Sequence, residues 1–161
     1  MDVDEFNLLS VEDASARVDG CLGVSRWVEE VVAGRPYADR EALLDQGAAS
    51  ADHLSDDELA SAISRHPRIG EQSRAGGKEA AHSRAEQAGV DPTDQAELKA
   101  GNAAYEERFG RVFLIRAAGR SSEEILAELH RRLGNDDTSE RAETVRALRD
   151  IAVLRLEQVV A

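Results

Sequence analysis

The chain has 161 residues, 42% of them hydrophobic and 32% charged, a size and balance that fit one globular domain with a buried core. Its formal net charge of −12 argues against nucleic acid and anionic membrane surfaces as partners, because both recruit a basic field. Aromatic residues are only 4%, so aliphatic and alanine side chains must fill the interior.

Cys21 is the only cysteine, which rules out an internal disulfide and suits a reducing compartment. It follows Val18 and precedes Leu22 in an apolar pattern, and reads as a small core residue. The start Met1-Asp2-Val3-Asp4-Glu5 is acidic and lacks the apolar stretch of a secretory signal. No run approaches the roughly 20 apolar residues of a membrane span, and Val159-Val160-Ala161 is not a peroxisomal address. These features predict a cytoplasmic protein.

Ser10, with Asp13 three residues on, gives a capping-box-like start for a helix running to about Asp19. Leu22, Trp27, Val28, Val31 and Val32 mark a second helix ending near Gly34. Trp27 at helical spacing reads as core, the alternative being a stacking surface for a ligand. Arg35-Pro36-Tyr37 breaks the chain, and Asp39 caps a third helix with Leu43, Leu44 and Ala48 inward. Ser55-Asp56-Asp57-Glu58 is a clearer capping box, followed by Leu59, Ala62 and Ile63 on one face. Pro67 disfavours helical backbone at His66, so this helix ends about there.

Residues 67–77 read as a polar, glycine-rich loop, and residues 78–88 as a short helix stopped by Gly89. Asp91-Pro92 signals another start, with proline at the first helical position. That helix carries Leu98, Asn102 and Tyr105 towards Phe109-Gly110. Periodicity leaves the apolar run Val112-Phe113-Leu114-Ile115 open as strand, extended segment or buried helical turn. Ser121-Ser122-Glu123-Glu124 caps the next helix, with Ile125, Leu129 and Leu133 inward, and Gly134-Asn135 ends it. Thr138 or Ser139 begins the last helix. The expected fold is all-α, a single-domain bundle of about eight helices without a strand pair.

Three features suggest chemistry. His66 sits at a helix exit before a glycine-rich connection, where catalytic groups concentrate. Glu86-Gln87 lies on the short helix. Arg155 shares the apolar stripe of Val145, Leu148, Ala152 and Val159, so it must snorkel, meet a carboxylate or an interface, or hold a ligand. His82 and Glu86 are four apart, but no HExxH, second ligand-spaced His or Cys cluster accompanies them, and no metal site is expected. His53, His130 and the pair Arg131-Arg132 read as solvated helix faces.

The ordered set goes further. His66-Pro67-Arg68-Ile69-Gly70, Ser83-x-x-Glu86-Gln87-x-Gly89, Asn102-x-x-Tyr105-x-x-x-Phe109-Gly110-x-x-Phe113 and Ile151-x-x-x-Arg155-Leu156 resemble the 2-oxo-4-hydroxy-4-carboxy-5-ureidoimidazoline (OHCU) decarboxylases. Phe6-Asn7, Cys21-x-x-x-Ser25-x-Trp27 and Arg35-Pro36-Tyr37 extend the likeness to the front of the chain.

The resemblance implies an all-helical fold, usually homodimeric, that needs no metal or organic cofactor and converts the small molecule OHCU to (S)-allantoin in urate breakdown. It implies His66 as catalytic acid/base with Glu86 as a second catalytic group. Pro67, Ser83 and Gln87 would line the pocket, Arg155 would hold the substrate, and the backbone around Phe113 and Ile115 would face it. The chain departs from the family pattern at Arg111-Val112, and Arg116 and Arg120 make that stretch unusually basic. Two other readings remain: a non-catalytic helical interaction domain, and an enzyme of this fold acting on another ureido or imidazoline acid.

Overall fold

The computed structural model describes residues 1–68 and 94–161, which contain eight α-helices and no strand. These are α1 (Val3–Leu8), α2 (Val11–Val18), α3 (Ser25–Ala33), α4 (Arg40–Ala51), α5 (Asp56–Ser64), α6 (Gln95–Phe109), α7 (Ser122–Leu133) and α8 (Asp137–Val159), with a short 3-10 turn over Asp19–Cys21. The all-α expectation holds. The helix expected over residues 78–88 and the Asp91-Pro92 start lie outside the described residues.

Caps set most of the boundaries. Ser10, Asp39 and Ser121 each accept a hydrogen bond from the backbone N–H three residues on, meeting donors that the first helical turn leaves open. Ser55 and Glu58 bond reciprocally as a capping box. Three expectations need correction. The six-residue α1 was not foreseen, although Asp2 and Glu5 form a capping box there. Leu22 lies before α3 rather than in it, because the chain turns through Asp19–Cys21 first. Asp136, not Thr138 or Ser139, caps α8, its side chain accepting from Ser139 N at 2.7 Å.

Contacts divide the molecule into two compact units, residues 1–62 with 148–161 and residues 63–147. In the first unit Trp27 is fully buried and its indole N–H donates to the Gly47 carbonyl at 2.8 Å. A Cβ on Gly47 would stand 2.8 Å from Leu156 Cδ2, so glycine is what lets α4 approach this closely. Arg35 donates to the Phe6 and Leu9 carbonyls at 2.9 and 2.8 Å. Asn7 and Tyr37 exchange two bonds of 2.9 Å. The Phe6-Asn7 and Arg35-Pro36-Tyr37 motifs therefore form one clamp, which fixes α1 beside the turn after α3. Cys21 is buried, as expected.

The second unit is centred on Leu98, Tyr105, Phe113, Ile115, Ala117, Ile125, Leu126 and Leu129. A Cβ on Gly101 would collide with Leu129 Cδ2, so α6 and α7 also meet at a glycine. Gly110 ends α6 in the left-handed region at φ 71°, a conformation glycine adopts without Cβ strain. The run Val112–Ile115 is neither helix nor strand. It is an irregular segment with Phe113, Leu114 and Ile115 all buried.

Candidate active site

α5 stops at Ser64 and the chain turns, with His66 N donating to the Ile63 carbonyl at 3.0 Å. Pro67 cannot continue a helix and biases His66 away from helical backbone, so the imidazole is delivered at a helix exit, as the sequence predicts. His66 is half-buried and its Nε2 is shielded from solvent. Two residues on, Arg68 Nε donates to Glu106 Oε1 at 2.7 Å. That pair ties the exit to α6. It is partly exposed, so its contribution is positional more than energetic.

Ser83, Glu86 and Gln87 lie outside the described residues. Arg155 lies on the buried face of α8, 2% exposed, and its Nη1 donates to the Gly20 carbonyl in the 3-10 turn at 3.2 Å. Of the apolar stripe predicted around it, Val145, Leu148 and Ala152 are buried and Val159 is half-buried. Phe113 and Ile115 place their side chains in the core of the second unit. The Phe113 ring meets Tyr105 edge-on at 5.2 Å between centroids. At these two residues, what is left to present to a ligand is backbone. At its flanks, Arg111 Nε and Arg120 Nε are buried and hydrogen-bond to none of the described residues.

One group was misread. Arg131-Arg132 was expected on an exposed face. Arg131 is half exposed and pairs with Glu128 and Glu143. Arg132 is 3% exposed and binds Glu140, itself fully buried. The signal was present: Arg132 follows Ile125 and Leu129 at spacings of seven and three, on the same helical face. Tyr105 donates its hydroxyl to Glu140 at 2.5 Å. Burial, then that bond, raises the phenol's pKa above its ordinary value, so Tyr105 remains a donor. A shallow groove bounded by Val24, Arg26, Asp57, Glu58 and Ser61 contains none of the candidate residues. Among the described residues no cluster of His, Cys, Asp or Glu is placed to hold a metal ion, and no helix is long and apolar enough to cross a membrane.

The family model for OHCU decarboxylase matches residues 7–157. The chain belongs to the OHCU decarboxylase family. A 2-oxo-4-hydroxy-4-carboxy-5-ureidoimidazoline decarboxylase from Amia calva is 33% identical over 99% of this chain and 95% of its own length. A uric acid degradation bifunctional protein from Bacillus sp. (strain TB-90) is 25% identical, and the chain spans 32% of it. The fold is shared with an OHCU decarboxylase crystallised in the presence of (S)-allantoin, at a TM-score of 0.73 and 23% identity over 88% of this chain and 95% of that one. It is shared also with an (S)-allantoin synthase, again at 0.73, with 16% identity over 99% of this chain and 54% of that one.

Proposed function

We propose that this protein decarboxylates OHCU to (S)-allantoin in the oxidative degradation of urate. The observation that carries the reading is the family match over residues 7–157, and the Amia calva relative supports it along nearly its whole length. His66 is the acid/base and Glu86 the second catalytic group. Pro67, Ser83, Gln87, Arg155 and the backbone of Phe113 and Ile115 orient the substrate. The reading extends to a homodimer, which sedimentation tests.

The reaction suits such residues. When carbon dioxide leaves, the electron pair of the broken C–C bond passes into the adjacent ring C=N, so the substrate supplies its own electron sink. The protein has three tasks: to hold the carboxylate out of the ring plane, to move protons, and to protonate one face. Imidazole transfers protons near neutrality. A carboxylate close to it fixes its tautomer, the role given to Glu86. The guanidinium fork of Arg155 matches ring or ureido carbonyls or the departing carboxylate.

The test is circular dichroism of freshly generated OHCU with and without the protein. A fast rise of one allantoin enantiomer is expected; decay no faster than the blank, to optically inactive product, overturns the reading. His66→Ala is expected to lose about 10²–10⁴-fold in rate with its helical spectrum unchanged. Unaltered turnover would remove His66 from its role.

A further inference from the structure

We propose that Arg132 and Glu140 are positioning residues for the substrate-facing backbone of residues 113–117, an inference that rests on the decarboxylase reading above. Arg132 Nε donates to Glu140 Oε1 at 2.8 Å, and Nη2 reaches the same oxygen and Thr144 Oγ1. Nη1 points the other way and donates to the Leu114 carbonyl at 2.5 Å. The guanidinium lies over the Phe113 ring, 4.7 Å from its centroid, a cation–π contact. Glu140 is held in turn by the Tyr105 hydroxyl at 2.5 Å and by Asn135 Nδ2 at 3.0 Å. One guanidinium thus joins α7 and α8 to the irregular segment between α6 and α7.

Stability alone does not account for this arrangement. Taking both charges out of water costs several kcal/mol per ion, and a well-packed apolar pair of similar volume is often as stable or more so. An apolar pair cannot, however, grip a chosen backbone carbonyl. Here a grip is needed. Residues 112–117 belong to neither helix nor strand, so no ladder fixes their register. Phe113, Leu114 and Ile115 are 0%, 2% and 6% exposed. A run buried on every side has no apolar–polar alternation to choose one register over the next. The bond to Leu114 and the stacking on Phe113 make that choice. Backbone that binds the substrate must be held in place beforehand, since ordering it on binding lowers affinity.

The test compares wild type with the neutral double variant R132M/E140Q and with R132K, which keeps the charge beside Glu140 but cannot fork to Leu114 as well. Amide hydrogen exchange of residues 113–117 needs no substrate and reads the positioning directly. Steady-state kinetics on OHCU reads its consequence. In the double variant the helical spectrum is retained. Exchange at 113–117 rises about tenfold or more while α3 is unchanged, and KM rises about tenfold with a smaller change in kcat, the pattern of lost binding common to the ground and transition states. R132K shows the same changes at smaller size and decides the matter if the double variant does not fold. Unchanged exchange in a folded variant overturns the proposal. So does a lowered thermal midpoint with KM intact, which is a purely structural role. Wild-type protein that leaves OHCU untouched overturns the decarboxylase reading instead, and with it the word substrate-facing.

Discussion

The two units tie their helices together with different chemistry. In the first, three of the ties end on backbone oxygens: Trp27 on Gly47, Tyr37 on Val31 at 2.6 Å, and part-buried Arg35 on Phe6 and Leu9. In the second, the central donor, Arg132, ends chiefly on a buried carboxylate. A backbone acceptor is supplied by the fold whatever its side chain, so each of these three ties can be lost alone. Arg132 and Glu140 each leave a buried charge behind when the other is removed. The second unit is therefore the more fragile to single substitutions and the more tolerant of paired ones.

The largest effect expected is that of Glu140→Ala, which strands the Arg132 charge: a loss of about 3–5 kcal/mol in urea denaturation. The paired R132M/E140Q should lose less than that single change, and a double variant as unstable as E140A would break the comparison. Trp27→Phe sharpens it from the other side. The lost N–H to Gly47 and the smaller ring in a fully buried site are expected to cost about 1–3 kcal/mol. A larger loss than E140A would reverse the order of the units.

The smallest effect belongs to the partly exposed pair of Arg26 and Glu58, 2.7 Å apart. The bond to Arg26, then the Ser55 backbone N–H, holds the Glu58 carboxyl below its ordinary pKa. A depressed carboxylate adds stability above its unfolded pKa of about 4.3 and loses it as pH falls through the folded value. Glu58→Gln is expected to cost roughly 0.2–1 kcal/mol at pH 7. The difference from wild type should vanish on acidification below the carboxylate range. A difference that persists at low pH would assign the effect to the cap rather than to the charge.

Much of this was legible in the sequence, because local signals carried it. Ser10, Asp39, Ser55 and Ser121 announced their helices through capping chemistry, and the His66-Pro67 pair announced a stop. The short α1 was missed because a single buried residue, Phe6, gives no periodicity to read; only the Asp2-x-x-Glu5 box marked it. The run at 112–115 stayed ambiguous since Phe113, Leu114 and Ile115 are buried in succession, which shows no period of two or of 3.6. Arg155 was singled out by its place on an apolar stripe. Arg132 obeys the same rule and was passed over, because its neighbour Arg131 made the pair look like an ordinary charged surface. Its partner Glu140 is eight residues away across a turn, a relation that spacing within one helix does not reveal.

The division of the chain also has a consequence for how it is made. Residues 63–147 are one continuous stretch, whereas the other unit joins residues 1–62 to 148–161. The bond from Arg155 to Gly20 closes a separation of 135 residues. In the order of synthesis the stretch that is second in sequence is therefore complete before the other unit is, the reverse of a simple N-terminal-first order. Until Arg155 and Leu156 are made, the Gly20 carbonyl lacks its Arg155 donor and the surface beside Gly47 lacks Leu156, an interval in which a nascent chain is open to chaperones and to its own copies.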